Sequence, residues 1–215
     1  MEPRWLKPAK FAGSIAAFAA TLGWLGVYLP VAGRRRRQVS WVVAVGSVIE
    51  IALIAGQAAR GVESHFNTSS AVDGAIYGVM GLTIVAITAA VGWLALRTLR
   101  GDMRTAAPFA AGIRLGLVLF VVGAVEGGAM SALATDTVVR GPHLPLVGWT
   151  PAGDFRVAHF VGLHGWQVLP AVGYVTARLE RRGRVTDGRR VVRTVAAAYV
   201  GLFTAALALA VAPLV

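Results

Sequence analysis

The 215-residue chain is 56% hydrophobic and only 14% charged, and its mean hydropathy is +0.67. Because soluble domains carry about 25% charged residues, this composition excludes an ordinary soluble protein and indicates a polytopic membrane protein. The formal net charge of +11 does not indicate nucleic-acid binding, since the basic residues cluster beside apolar runs and no nucleic-acid motif is present. The absence of cysteine excludes cysteine-ligated iron–sulfur clusters, thiolate-ligated haem and thiol catalysis within this chain.

Six apolar windows are long enough to cross a hydrocarbon core of about 30 Å. The first follows the basic stretch MEPRWLKPAK and is longer than the apolar core of a signal peptide, so we interpret it as a retained transmembrane helix. We therefore predict an all-α fold, a polytopic transmembrane helical bundle that forms a single domain over residues 1–215. The predicted spans lie near residues 11–32, 39–60, 73–96, 108–133, 155–177 and 191–213.

Lysine and arginine predict the orientation of these spans. Of the 21 basic residues, 14 fall in the loops after spans one, three and five, and six fall on the opposite side. The positive-inside rule therefore places these three loops in the cytoplasm and both termini outside it. The clusters RRRR at 34–37 and RLERRGR at 178–184 are typical of loops that contact anionic lipid headgroups. We expect an integral protein of a bacterial inner or plasma membrane.

Polar residues concentrate on the predicted non-cytoplasmic side. All four histidines and six of the ten acidic residues lie there. The helical rise of about 1.5 Å per residue places these and neighbouring polar residues in two layers. The deeper layer contains Glu50, Glu126, His164 and Gln167, and the shallower layer contains Gln57, Arg60, His65, Asp154, Arg156 and His159.

This distribution predicts a pocket of histidines and carboxylates that opens to the non-cytoplasmic side. Ionisable residues inside a membrane are costly and commonly mark functional sites, and imidazole is the commonest metal ligand. Hydrogen bonds between helices are the alternative role for His164 and Gln167, and snorkelling is the alternative for Arg60 and Arg156. The candidate catalytic residues are Glu50, Glu126, His164 and Gln167; the candidate cofactor-binding residues are Gln57, Arg60, Asp154 and Arg156; the candidate metal ligands are His65, His159 and His164.

Glycines recur four residues apart, at a spacing that lets helix backbones approach closely in a membrane. The pairs are Gly74 with Gly78, Gly112 with Gly116, and Gly123 with Gly127. We interpret them as packing positions of a compact bundle.

Three stretches resemble a family of largely uncharacterised bacterial polytopic integral membrane proteins. They are SWVVAVGSVIEIALIAGQAARGVESHFN at 40–67, the segment from Glu126 to Thr137, and GDFRVAHFVGLHGWQ at 153–167, and the SHFN and AHFxGLHxxQ blocks are the most specific parts. Members of that family often carry a histidine where this chain has Asp136. The resemblance implies a shared site on the outer side but no particular reaction.

Three functions fit these features. The first is binding of haem b or a divalent transition metal for membrane redox or metal-assisted chemistry. His159 and His164 lie on one helix and cannot both ligate one haem, so His65 and His159 are the expected pair, with His164 as a proton relay. The second is a proton- or ion-coupled transporter or channel that uses Glu50, Glu126 and His164. The third is a non-catalytic subunit of a larger membrane complex or of a homo-oligomer.

Overall fold

The computed structural model of the chain describes residues 4–133, 149–150 and 152–212, and all regular structure in these ranges is helical. Each of the six helices overlaps one predicted segment, which confirms the all-α prediction. The helices are α1 (Leu6–Gly26), α2 (Gly33–Arg60), α3 (Ala71–Arg100), α4 (Ala107–Leu133), α5 (Phe155–Arg181) and α6 (Gly188–Val211).

Four helical segments of the described chain are long and apolar enough to cross a membrane, which is consistent with contact with a lipid bilayer. They are Gly33–Arg60, Ala71–Arg100, Ala107–Ser131 and Gly188–Val211. The α5 helix does not meet the same criterion, because Arg156, His159, His164 and Gln167 interrupt its apolar sequence.

The chain forms two compact units, Met1–Gly101 with α1 to α3 and Asp102–Val215 with α4 to α6. In the first unit, α2 packs against both α1 and α3. The α2 helix ends where Gly61 adopts φ 74°, a left-handed conformation that glycine reaches without strain. The α3 helix begins after Ser70, whose side chain accepts a hydrogen bond from the Asp73 amide.

In the second unit, α4 and α5 pack closely against each other. A β-carbon added at Gly116 would lie 2.8 Å from the Gly165 carbonyl oxygen, and one added at Gly123 would lie 2.8 Å from backbone atoms of Gly162. The backbones approach this closely only because these positions carry no side chain. The α6 helix completes the unit through a core of Leu119, Ala158, Leu169, Ala196, Phe203 and Ala206.

The glycine pairs differ in their packing. Both pairs on α4 contact α5, as predicted. The pair Gly74 and Gly78 on α3 does not behave in this way, since β-carbons added there would meet no described atom within 4 Å. The reason is that α3 contacts Gly46 of α2 through Thr83 and Ile87, which lie about 140–180° around the helix from Gly78.

Candidate functional site

His159 lies on α5 and points at α4, where it contacts Gly123, Glu126 and Gly127. Its Nδ1 is 2.9 Å from the carbonyl oxygen of Gly123 and 3.3 Å from Oε2 of Glu126. The imidazole occupies the space that a side chain at position 127 would fill, so Gly127 is required for this contact. Because a carbonyl oxygen can only accept, Nδ1 carries the proton and Nε2 keeps its lone pair. The site therefore presents Nε2 as a metal ligand or a proton acceptor.

Glu126 is almost fully buried, with 8% of its side chain exposed, whereas 29% of the His159 side chain is exposed. Neither carboxylate oxygen has a hydrogen-bond partner among the residues that the structure describes. Oε2 is within ion-pair distance of His159 but is not aligned as a hydrogen-bond acceptor, because the Nδ1 proton points at Gly123. The carboxylate thus lies beside the imidazole without a hydrogen bond to it.

His164 lies one helical turn further along α5 and does not contact α4 in the same way. Its Nδ1 is 2.8 Å from the Phe160 carbonyl oxygen, and its ring stacks on Phe160 with a centroid distance of 3.9 Å. The same reasoning assigns the proton to Nδ1 and leaves Nε2 available. Phe160 also contacts Trp149, and the centres of the two rings are 5.6 Å apart.

Asp154 and Arg156 form an ion pair at the start of α5. The Arg156 guanidinium donates to both carboxylate oxygens of Asp154, at 2.8 and 2.7 Å, and also lies 5.9 Å from the centre of the Trp149 ring. Asp154 caps the helix by accepting from the Arg156 amide at 3.0 Å. The sequence predicts that both residues bind a cofactor. In the structure, their side chains are hydrogen-bonded to each other.

Two adjacent residues of α5 carry buried polar atoms without partners. Trp166 is fully buried, and its Nε1 has no hydrogen-bond partner in the described part of the chain. The same holds for Oε1 of Gln167. Such atoms are uncommon in folded proteins and are typical of sites that are completed by another group.

In the first unit, Gln57 and Arg60 meet at Asp73, which links the end of α2 to the start of α3. Oδ1 of Asp73 accepts from Nε2 of Gln57 at 2.9 Å and from Nη1 of Arg60 at 2.6 Å. Its Oδ2 accepts from the Ser70 hydroxyl at 2.6 Å. The sequence predicts Gln57 and Arg60 in the shallower polar layer but does not predict this partner. The spacing Ser70-x-x-Asp73, which resembles a helix-capping pattern, is the signal that could have indicated it.

Replacing Asp73 by alanine should lower the free energy of unfolding by about 2 kcal/mol, because the buried Gln57 amide loses its acceptor. Thermal unfolding of the detergent-purified protein, followed by circular dichroism, measures this loss. The control is Glu63→Ala, which removes an exposed ion pair with Lys7 and should cost less than about 1 kcal/mol. Equal losses in the two variants would contradict the role assigned to Asp73.

Glu50 lies in the middle of α2 and is 3% exposed. Its Oε1 has no hydrogen-bond partner within the ranges described above. Buried carboxyl groups within membrane-spanning helices commonly mark functional sites.

His65 follows α2 and lies in an aromatic cluster of the first unit. Its ring centre is 5.0 Å from that of Phe11 and 6.4 Å from that of Tyr77, and its Nδ1 is 2.9 Å from the Ser64 hydroxyl. Beside it, the hydrogen bond from Lys7 to Glu63 at 2.8 Å holds the pKa of the Glu63 carboxyl below its usual range. The hydroxyl can donate or accept, so the contact does not fix the tautomer of His65.

The donor chemistry of His159 fits a haem or a transition metal, because a ligating imidazole ordinarily donates its other N–H to a carbonyl or carboxylate. Within the described residues, no group of three or more histidine and carboxylate side chains lies close enough to hold a metal ion. His65 belongs to the first unit and His159 to the second, and their pairing stays a prediction. Asp136 lies outside the described residues, so its predicted position on the non-cytoplasmic side stays a prediction.

Comparison of the chain with protein-family models, with curated proteins and with solved structures finds no match. The functional argument therefore depends on the residues and their geometry.

Proposed function

We propose that this integral membrane protein binds haem b or a divalent transition metal through Nε2 of His159, at a site that opens to the non-cytoplasmic side, for membrane redox or metal-assisted chemistry. The observation that carries the proposal is the position of His159. Its Nδ1 lies 2.9 Å from the Gly123 carbonyl and 3.3 Å from the buried Glu126 carboxylate. This is the arrangement by which proteins orient an imidazole ligand and increase its basicity.

The residues of the chain have distinct roles in this proposal. The bound group would supply redox or Lewis-acid chemistry. The Gly123 carbonyl holds the proton at Nδ1 of His159, and the Glu126 carboxylate beside that ring would strengthen Nε2 as a ligand. His164 offers a second unprotonated Nε2 on the same helix, where it can accept a proton. The ion pair of Asp154 and Arg156, at the start of the same helix as His159, would hold polar groups of the cofactor. The predicted cofactor-binding role of Gln57 and Arg60, which belong to the first unit, stays a prediction.

The test is an absorbance spectrum and a metal analysis of the detergent-purified protein. A Soret band indicates haem, and stoichiometric metal without a Soret band indicates a non-haem site. The absence of both would overturn the proposal and favour the transporter or the non-catalytic subunit.

A second candidate function is a proton or ion pathway, and one observation favours it. Glu50 is a buried carboxyl group whose Oε1 has no partner among the described residues, and intramembrane carboxyl groups of this kind mark proton routes. Proton flux into proteoliposomes should then be abolished by Glu50→Gln and retained by Glu63→Gln. If proteoliposomes with the unmodified protein show the same proton flux as protein-free liposomes, this candidate is excluded.

We also propose six spans with both termini outside the cytoplasm. The chain has no cysteine, so a single introduced cysteine reports the side of each loop without a background signal. A membrane-impermeant thiol reagent applied to intact cells should label Val62→Cys and should label Thr186→Cys only after permeabilisation. The reverse pattern would contradict this orientation.

A further inference from the structure

A groove of about 510 Å³ lies beside the first turns of α6 in the second unit. Its lining is partly polar and partly apolar. The polar lining residues are Arg184, Thr186, Asp187, Arg190 and Thr194, and the apolar ones are Val185, Val191 and Val195, so that two cations face one acid. A ligand that fills both parts must itself be amphipathic and carry negative charge.

The cations of the groove are available to such a ligand. Two acids near these arginines accept hydrogen bonds within the fold. Asp187, which also lines the groove, accepts from the Arg190 amide at 2.9 Å, and Glu180 accepts from the Gly188 amide at 2.8 Å. These bonds also occupy amide groups at the start of α6, so the helix terminus is not the binding element. The guanidinium groups of Arg184 and Arg190 form no hydrogen bond or ion pair with any residue that the structure describes.

The position of the groove indicates the source of the anion. The α6 helix is long and apolar enough to cross a membrane, so its first residues lie where lipid headgroups would meet the chain. Val191 is 39% exposed and continues the apolar surface of α6 into the groove. A free phosphate ion would use the arginines alone, whereas a phospholipid would also cover the valines.

We propose that this groove binds the headgroup of an anionic phospholipid, with the phosphate between Arg184 and Arg190 and the glycerol and upper acyl carbons along Val191 and Val195. The site lies on the second unit, and it does not depend on haem, metal or proton transfer at His159. Its failure and the failure of the proposed function are therefore separate results.

The experiment titrates the full-length protein in a neutral detergent with phosphatidylglycerol, phosphatidylcholine or inorganic phosphate and follows binding by native mass spectrometry and by the thermal midpoint. The test variant is the double substitution Arg184→Gln/Arg190→Gln. The matched control is Arg189→Gln/Arg193→Gln, which removes the same charge from the same region outside the groove. Circular dichroism verifies that both variants keep their helical content.

Phosphatidylglycerol should bind and raise the thermal midpoint of the unmodified protein, and the test variant should weaken its affinity by about 30-fold. The control should weaken it by less than about threefold. Equal weakening in the two variants would overturn the proposal in favour of diffuse charge attraction. Equal binding of phosphatidylcholine, or equal protection by inorganic phosphate, would also overturn it.

Discussion

Replacing Gly116 by alanine should lower the free energy of unfolding by about 1–3 kcal/mol. The added methyl group would lie 2.8 Å from the Gly165 carbonyl oxygen and 3.0 Å from the Pro170 ring. Neither neighbour can rotate away, because one is backbone of α5 and the other is a ring fixed within that helix. The α4 and α5 helices must therefore move apart at this position, which weakens the packing between them.

The control for this substitution is Gly128→Ala on the same helix. A β-carbon there meets no described atom within 4 Å, so the change should be neutral or stabilising, since alanine favours helix more than glycine does. Thermal unfolding in detergent compares the two variants directly. Identical midpoints for Gly116→Ala and Gly128→Ala would show that the close contact between α4 and α5 does not stabilise the protein.

Glu126→Gln should weaken binding of the cofactor by about 10–100-fold without abolishing it. The amide keeps the shape of the side chain and removes the negative charge that lies 3.3 Å from Nδ1 of His159. Without that charge, Nε2 of His159 becomes a weaker ligand. Competition with a chelator of known affinity, or with apomyoglobin for haem, measures the change.

The control for Glu126→Gln is Glu63→Gln, which removes the charge of a carboxylate on the first unit that is bonded to Lys7. Its effect on cofactor affinity should be less than about twofold. An affinity unchanged by Glu126→Gln, or changed equally by both substitutions, would contradict the role of Glu126.

The helices were predictable because each apolar segment is bounded by turn, capping or charged residues. The α2 helix ends just before Gly61. The α5 and α6 helices begin just after Asp154 and Asp187, whose side chains cap them. Whether each glycine pair contacts another helix was less predictable. A spacing of four residues permits close packing, but it does not decide whether a partner helix covers that face, as Gly78 and Gly116 illustrate.

The site was predictable in its residue types and only partly in its contacts. The sequence placed His159 in a shallow layer and Glu126 in a deeper layer, yet the two side chains lie 3.3 Å apart. The predicted depth of each residue is counted from the end of its span, so an error in that boundary is also an error in the depth. The length of each side chain also separates the depth of its polar atoms from that of its backbone. The contact also requires Gly127, whose missing side chain leaves room for the imidazole. That requirement concerns the packing of α4 on α5, which sequence periodicity does not specify.

The polar residues at the end of α2 show a similar limit. The sequence assigns Gln57 and Arg60 to a cofactor because both belong to the shallower polar layer, whereas the structure joins both to Asp73 of α3. Which polar groups satisfy one another depends on the register between two helices. A single sequence does not contain that register except through local signals such as Ser70-x-x-Asp73.

The most direct test of the central claim is the haem and transition-metal content per chain of the unmodified protein, His159→Ala and His164→Ala, expressed and purified in parallel. We expect a stoichiometric cofactor in the unmodified protein and in His164→Ala, and none in His159→Ala, because only His159 is held against α4 by both a carbonyl and a carboxylate. Helical content and thermal midpoint verify that His159→Ala is folded. A cofactor retained in folded His159→Ala, or absent from the unmodified protein, would contradict the assignment of His159 as the ligand.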